Sequence, residues 1–272
     1  MAIRFSNVSY LDKLDNINYT FEDSKITSLI GASGSGKTLI SYLIMGLILP
    51  TSGEVYVEGN IIDSNTVDFN YIRRNVGYVF QNPSDQFVTR TVKDELEFSL
   101  KNYNYKIEKL EERVNDSLKM VGLSDRFLNR NPFDLSSGEK EKLAIAIALS
   151  LNPKILILDE PTIFLDDKSK LEIIEILNKL KNKYNKTIII ISNDINFVKD
   201  ISDNVVMLKK GKINLDIPRD KLLENMEKVK RSGMEIPKIL EFINNASKYK
   251  NIKFTYTSDI EMLVSEVKKY VK

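Results

Sequence analysis

The stretch that decides the fold is Gly31-Ala32-Ser33-Gly34-Ser35-Gly36-Lys37-Thr38, which fits the pattern G-x-x-x-x-G-K-[ST]. It lies between an apolar run at residues 27–30, typical of a strand, and a helical pattern at residues 39–47. Backbone N–H groups and the helix N-terminus of such a loop bind phosphates, its lysine reaches the β- and γ-phosphates, and its last hydroxyl ligates Mg²⁺. A Gly/Ser turn before a helix is the alternative. The predicted phosphate-binding residues are Gly31, Ser33, Gly34, Ser35, Gly36, Lys37 and Thr38.

Length and composition restrict the chemistry that this loop can serve. The 272 residues allow one large domain or two small ones, and 42% hydrophobic with 29% charged residues are typical of a soluble globular protein. The 40 Lys and Arg against 38 Asp and Glu give a net charge of +2, which argues against a global polyanion-binding surface. The chain has no Cys and no His, which excludes thiol nucleophiles, disulfides, Cys/His zinc sites and imidazole catalysis.

The sequence predicts a cytoplasmic protein. Residues 1–9 carry a single charge and alternate like a strand, so no export signal is visible. The most apolar windows, residues 39–49 and 143–151, each have about half of the ~20 residues that span a bilayer. Any membrane role is therefore expected to come through a partner.

The order of apolar runs predicts an α/β fold. Short runs rich in Ile, Leu and Val alternate with helical patterns, which indicates a mostly parallel sheet covered by helices on both faces. Residues 91–152 contain only helical patterns, at 92–102, 107–121 and 138–151, and are interpreted as a helical insertion. After residue 216 the composition shifts, and helices at 236–246 and 259–271 predict a small appended domain. The predicted strands are residues 27–30, 76–80, 155–158, 187–191 and 205–208.

Two carboxylates follow one of these strands. Asp159 and Glu160 end the apolar run 155–158, at the carboxyl edge where α/β sheets bind ligands. Adjacent strand residues point to opposite sides, so a division of labour is expected, with Asp159 on Mg²⁺ and Glu160 polarising an attacking water. Without the phosphate loop the pair would be interpreted as a loop start or a helix cap.

A third segment, Leu135-Ser136-Ser137-Gly138-Glu139-Lys140, precedes the apolar helix at 143–151. Together with the phosphate loop, Gln81, Asp159-Glu160-Pro161 and Leu165-Asp166, it resembles the nucleotide-binding subunit of an ABC transporter over residues 1–216. The resemblance implies an ABC-type P-loop ATPase with a RecA-like mostly parallel sheet, an antiparallel β-subdomain and a helical insertion subdomain at about 91–152. Residues 217–272 would form a small α-rich C-terminal dimerisation extension.

The resemblance also implies roles for individual residues. Two such subunits bind ATP between them, so Ser136 and Gly138 would act on the nucleotide bound by the partner. A role of Ser136 as a helix N-cap is the alternative and is compatible with this. Gln81 would be a metal ligand and link the nucleotide to the membrane partner, and Glu160 would be the catalytic carboxylate. Asp166 would contact the partner subunit. Tyr10 is a candidate to stack on adenine, and a core or surface tyrosine is the alternative.

Three departures from the family pattern bear on mechanism. Ser137 and Glu139 replace a glycine and a glutamine of the usual Leu-Ser-Gly-Gly-Gln, which predicts weaker binding to the partner's nucleotide. Asn193 stands where a histidine is usual; its amide hydrogen-bonds a phosphate but carries no positive charge. Phe164 occupies a position where a small residue is common.

Two segments resemble the energy-coupling-factor (ECF) ATPases of vitamin and metal-ion uptake. These are residues 81–88, Gln-Asn-Pro-Ser-Asp-Gln-Phe-Val, and the tail after residue 216. The resemblance implies a peripheral protein on the cytoplasmic face of the membrane that works with a second ABC ATPase, a transmembrane coupling protein and a substrate-binding membrane protein. A heterodimer is favoured over a homodimer.

Two other functions stay open at this stage. A nucleotide-gated, weakly hydrolysing regulatory ABC subunit is favoured by Asn193 and the altered signature and opposed by Glu160. A soluble ABC protein acting on nucleic acid or ribosomes would usually carry two cassettes or long coiled-coil insertions, so no nucleic-acid partner is expected.

Overall fold

The computed structural model of the chain describes residues 2–63, 69–103, 106, 109–250 and 260–269. The strands are β1 (Ile3–Tyr10), β2 (Leu14–Phe21), β3 (Ile26–Ile30), β4 (Ser52–Val57), β5 (Asn60–Ile61), β6 (Val76–Val79), β7 (Ile155–Asp159), β8 (Thr187–Ile191), β9 (Asn204–Lys209) and β10 (Lys212–Pro218). The helices are α1 (Lys37–Ile44), α2 (Phe69–Asn75), α3 (Val92–Asn102), α4 (Leu110–Met120), α5 (Ser137–Leu149), α6 (Asp167–Tyr184), α7 (Ile195–Ile201), α8 (Met226–Arg231), α9 (Lys238–Lys250) and α10 (Ile260–Lys268).

A six-stranded sheet forms the centre of the molecule, in the order β10-β9-β3-β8-β7-β6. All neighbours in it are parallel except β10 and β9, which are antiparallel. The predicted mostly parallel sheet is therefore confirmed. Its strands read as continuous apolar runs because both faces are buried: Ile155 and Ile157 belong to one core, and Leu156 and Leu158 to the other.

A second sheet, β2-β1-β4-β5, is antiparallel throughout and has four strands. The buried side chains Phe5, Val8, Leu14 and Ile17 form one core with α1 and one face of the central sheet. Strands β1 and β2 mix buried with exposed or half-buried residues, as expected when only one face is covered, and irregularities in their register interrupt a strict alternation. The implied antiparallel β-subdomain is present.

The segment 91–152 is helical where the structure describes it, as predicted. Helix α3 has the predicted bounds and follows the N-cap Thr91, whose side chain accepts a hydrogen bond from the Asp94 N–H. Helix α4 begins at Leu110, later than the predicted residue 107, which lies outside the described residues. Helix α5 is buried almost all round, which explains its long apolar run.

Helix α1 ends earlier than the sequence predicts. Its last residue is Ile44 rather than residue 47, and Gly46 follows with φ of 65°. A glycine with positive φ is a common helix terminator, because the left-handed conformation there stops the helical hydrogen bonds. The shorter helix still packs Ile40 and Leu43 into the core beside the phosphate loop.

The tail is joined to the central sheet by a common core. Strand β10 continues to Pro218, two residues past the predicted boundary at 216. Met226 and Val229 of α8 are fully buried against β3 and β9 through Ile30 and Met207. The division into domains at this point stays a prediction. Helix α10 falls within the predicted helix 259–271, whose ends lie outside the described residues.

None of the helices in the described part of the chain combines the length and apolarity needed to cross a bilayer.

Candidate functional site

The loop from Gly31 to Gly36 joins β3 to α1 in a conformation that requires glycine. Gly31 has φ of 146°, and a Cβ there would collide with the Leu208 carbonyl oxygen. Gly36 has φ of 107°, and a Cβ there would lie 2.6 Å from Leu14 Cδ2. Side chains at these two positions would push the loop away from β9 and β2. The glycines of the motif thus keep the loop wrapped around the N-terminus of α1.

Lys37 lies folded over this loop. Its side chain is 7% exposed, and its Nζ donates to the Gly31 carbonyl at 2.5 Å and to the Ala32 carbonyl at 3.3 Å. Burial lowers the pKa of Lys37, and the nearby carboxylates of Glu160 and Asp159 oppose this effect. The ammonium group is held by two backbone carbonyls of the loop and lies in the field of two carboxylates of the same cleft.

Asp159 is the last residue of β7 and is 8% exposed. Its Oδ2 accepts hydrogen bonds from Tyr78 OH at 3.0 Å and from Thr38 Oγ1 at 3.5 Å. Burial raises the pKa of Asp159, and these two donors act against the rise. Burial also raises the pKa of Tyr78, so its phenol keeps the proton that it donates.

Glu160 leaves the strand in a left-handed backbone conformation, with φ of 48°. Its N–H donates to the Ile191 carbonyl at 2.8 Å, and its Oε2 accepts from the Asn193 N–H at 3.2 Å. The simple strand rule placed Asp159 and Glu160 on opposite sides. Both line the same cleft instead, because the positive φ turns Glu160 out of the strand. Burial raises the pKa of Glu160, which suits a group that accepts a proton.

These groups surround one cleft of about 410 Å³. Gln81 lies on its wall after β6, and Asn193 lies on it after β8. The carboxyl ends of neighbouring parallel strands therefore meet the phosphate loop, as the sequence predicts. The lining residues are Lys13, Ser33, Gly34, Ser35, Gly36, Lys37, Thr38, Leu39, Gln81, Asp159, Glu160, Ile191 and Asn193.

A family model described as ABC transporter matches residues 14–163, more than half of the chain. The chain belongs to the ABC transporter family. It is an ATPase, an enzyme whose ATP hydrolysis is coupled to transport.

Among curated proteins, the chain is similar to energy-coupling factor transporter ATP-binding proteins, of which two serve as examples. EcfA2 of Caldanaerobacter subterraneus subsp. tengcongensis is 34% identical over 249 residues, which cover 88% of this chain and 87% of that protein. EcfA1 of Streptococcus pyogenes serotype M12 is 38% identical over 224 residues, covering 82% and 79% respectively. Both likenesses extend well beyond the family match.

The fold is similar to those of solved ABC ATPase structures. The structure of cbiO1 from Clostridium perfringens, part of the ABC transporter complex cbiONQ, has a TM-score of 0.78 at 28% identity and covers 89% of this chain and 98% of that chain. The ATP-binding cassette MJ0796 bound to ADP and Pi has a TM-score of 0.71 at 30% identity and covers 80% and 98%. The ABC P-loop ATPase fold expected from the resemblance is confirmed.

The ABC signature segment lies at the start of α5, outside this cleft. Ser136 is the N-cap of α5: its Oγ accepts from the Glu139 N–H at 3.3 Å, while Glu139 Oε2 accepts from the Ser136 N–H at 2.9 Å. The hydrogen bond from the Ser136 N–H lowers the pKa of Glu139, whose carboxylate is turned back onto its own helix. A Cβ at Gly138 would lie 2.7 Å from Ser169 Oγ on α6. The capping role of Ser136 leaves its proposed contact with a partner's nucleotide a prediction.

Three residues differ from the sequence expectation: one candidate lies outside the cleft, and two residues at or beside the cleft were not predicted. Tyr10, the candidate adenine partner, is half-buried at the end of β1, packs against the core of the antiparallel sheet and does not line the cleft. Its role stays a prediction. Lys13, in the turn after β1, lines the cleft although nothing in its local sequence singled it out. Tyr78 was also missed; its position on the strand next to β7 is the signal that would have placed it beside Asp159.

The cleft fits a magnesium–nucleotide complex. Thr38 hydroxyl, Asp159 carboxylate and the Gln81 amide provide oxygen ligands, which Mg²⁺ prefers. Ser35 Oγ is buried in the loop and has no hydrogen-bond partner among the described residues, as expected of a hydroxyl that serves a phosphate. Lys37 and the backbone N–H groups at the start of α1 supply the positive potential that phosphates need.

Proposed function

We propose that this chain is the ATP-hydrolysing subunit of an ECF-type membrane uptake transporter of the vitamin or metal-ion class. The observation that carries the hydrolytic part is the arrangement around Glu160, whose carboxylate lies in the phosphate cleft and is held by the Asn193 N–H. The transporter class is supported by the curated relatives, which are named energy-coupling factor transporter ATP-binding proteins.

The polar groups that the motifs bring to the cleft divide the work of phosphoryl transfer. The loop N–H groups, Ser35 and Lys37 bind the phosphates and stabilise charge that develops on the γ-phosphate. Thr38, Asp159 and Gln81 would hold Mg²⁺, which neutralises phosphate charge when bound. Glu160 orients a water molecule and accepts its proton at a carboxylate oxygen, since burial favours its protonated form. Asn193 Nδ2 is available to donate to a phosphate oxygen.

We further propose that two ABC subunits complete each other's sites. Neither Ser136, which is exposed, nor Gly138 lines this chain's own cleft, and the N-terminus of α5 that they form would meet the nucleotide of a partner subunit. Asp166, the N-cap of α6, would lie at the same interface. In a heterodimer, Asn193 would weaken the site on this chain's loop while Ser137 and Glu139 would affect the partner's site. The site on this chain's loop is then expected to turn over more slowly, because a neutral amide stabilises γ-phosphate charge less than an imidazolium.

The membrane role is proposed to come through partners on the cytoplasmic face. A transmembrane coupling protein would take up the motion of the ATPase pair, and a separate membrane protein would bind the substrate. The described chain contains no spanning helix, which is consistent with a peripheral subunit. Co-purification with the products of neighbouring genes would test this, by identifying the second ATPase and the membrane proteins that elute with it.

Binding and chemistry can be separated by two substitutions in the full-length chain. Lys37→Ala should abolish MgATP binding, because it removes the buried ammonium from the loop. Glu160→Gln should retain binding and slow hydrolysis by roughly 10² to 10⁴, the effect of a lost general base. The exposed Glu22→Gln is a matched control. Equal loss of ATP affinity in both cleft variants would assign Glu160 to metal binding or to structure instead.

The weakly hydrolysing regulatory alternative is favoured by Asn193, which places a neutral amide on the wall of the cleft. The comparison of the wild type with Glu160→Gln decides between the two functions. A wild-type rate no faster than that of Glu160→Gln, measured with the natural partner subunit present, would favour the regulatory function.

A further inference from the structure

Tyr78 contacts the metal-binding side of the cleft without lining it. It is half-buried on β6, and its phenol O–H donates to Asp159 Oδ2 at 3.0 Å. Thr38 Oγ1 lies 3.5 Å from the same carboxylate oxygen. Two hydroxyl groups from separate elements therefore donate to the same carboxylate oxygen, and only one of them belongs to the phosphate-loop motif.

The ring of Tyr78 is itself held in place. It meets the ring of Phe80 edge to face, with centroids 5.2 Å apart and an interplanar angle of 71°. The Phe80 N–H donates to Gln86 Oε1 at 3.4 Å, and Gln86 Nε2 donates to the Ala144 carbonyl of α5 at 3.2 Å. The orientation of the Tyr78 hydroxyl is thus set by packing on the segment that also carries Gln81.

We propose that Tyr78 is a positioning residue for the magnesium site, which holds the Asp159 carboxylate beside Thr38 through its hydroxyl group. This inference rests on the proposed ATPase function. Hydrogen-bonding partners of metal ligands orient those ligands, and their loss typically lowers metal affinity by about 10- to 100-fold. The Tyr78 hydroxyl meets the side chains of Asp159 and of Ser41 on α1, neither of which belongs to the phosphate loop, so its effect is directed at the metal rather than at the phosphates.

Tyr78→Phe is the sharpest test, because it keeps the ring and its contact with Phe80 and removes only the hydroxyl group, with its hydrogen bonds to Asp159 and Ser41. Tyr56→Phe is the matched control: Tyr56 OH also donates to a carboxylate, Glu54 Oε2 at 2.6 Å, but on β4 of the antiparallel sheet, outside the cleft. Binding of a fluorescent ATP analogue to the full-length chain would be measured in EDTA and then across a Mg²⁺ titration. Thermal unfolding of each variant would be measured in parallel.

The Mg²⁺ concentration at half-maximal binding is expected to rise by about 10-fold or more in Tyr78→Phe and to stay at the wild-type value in Tyr56→Phe. Affinity in EDTA is expected to be equal in all three proteins, because the loop and Lys37 are unchanged. Lower affinity in EDTA, or lower thermal stability with an unchanged Mg²⁺ requirement, would show a merely structural role and overturn the proposal.

An unchanged Mg²⁺ titration in Tyr78→Phe would overturn the role of Tyr78 alone and leave the ATPase function intact. Wild-type binding that does not respond to Mg²⁺ would contradict the magnesium site and Tyr78 together. The two failures are therefore distinguishable.

Discussion

Glu141 should make the stability of this protein fall as the pH rises, and Glu141→Gln should remove that dependence. Glu141 is 3% exposed on α5, and its Oε1 has no hydrogen-bond partner among the described residues. It lies on the wall of a cavity of about 320 Å³ between α5 and the loops at Asn82 and Phe164. Burial raises the pKa of Glu141 from its ordinary 4.5 to about 8.

The sign and size of the effect follow from linkage. Between pH 4.5 and about 8 the unfolded chain releases the Glu141 proton while the folded chain keeps it, so stability is lost as the pH rises through this window. At pH 7 the pH is about 2.5 units above the pKa of this carboxyl in the unfolded chain. At about 1.4 kcal/mol per unit, the free energy of unfolding falls by roughly 3 kcal/mol at most. For a chain of this length, that corresponds to about 5 °C in Tm.

Thermal and urea unfolding of the full-length wild type and Glu141→Gln would be compared from pH 4.5 to pH 8. The variant is expected to gain stability over the wild type as the pH rises, with the two curves meeting near pH 4.5. Glu139→Gln is the matched control two residues earlier. Its carboxylate is stabilised by the Ser136 N–H, so this variant should lose stability at neutral pH rather than gain it. A constant difference between wild type and Glu141→Gln at every pH would refute the buried, unpartnered carboxyl.

Two further stability changes are expected. Met226→Ala removes a fully buried side chain from the core that the tail shares with the central sheet, and it should lower the free energy of urea unfolding by about 2 to 5 kcal/mol. Leu171→Ala, at a side chain that is 60% exposed, is the control and should change it little. Equally small changes in both variants would contradict the common core. Ser136→Ala removes the α5 N-cap and should cost about 1 kcal/mol by thermal unfolding, and an unchanged Tm would show that Ser136 caps nothing essential.

The central sheet is predictable from sequence because its strands are buried on both faces. The run 187–191 has the predicted bounds of β8, and its four isoleucines are all buried. The start of helix α3 is equally predictable, since Thr91 and Asp94 form a helix cap that is local in sequence. The antiparallel sheet followed only from the family resemblance, because its half-buried strands include several polar residues.

The parts that sequence reasoning missed depend on contacts between distant residues. Tyr78 and Asp159 are 81 positions apart, and only the pairing of β6 with β7 brings them together. The positive φ of Glu160 reverses the side that strand alternation assigns to it. The shared core of the tail is equally non-local: Met226 and Ile30 belong to one core although 196 positions separate them, so composition alone made the tail look separable.

The central claim is that the cleft around Glu160 hydrolyses ATP to drive a membrane partner. The most direct measurement is the ATPase rate of the complete complex, co-purified with its second ATPase and membrane proteins and reconstituted in vesicles. Glu160→Gln in this chain should lower that rate while ATP binding persists, and the equivalent change in the second ATPase should lower it further. An ATPase rate unchanged by Glu160→Gln would contradict the account.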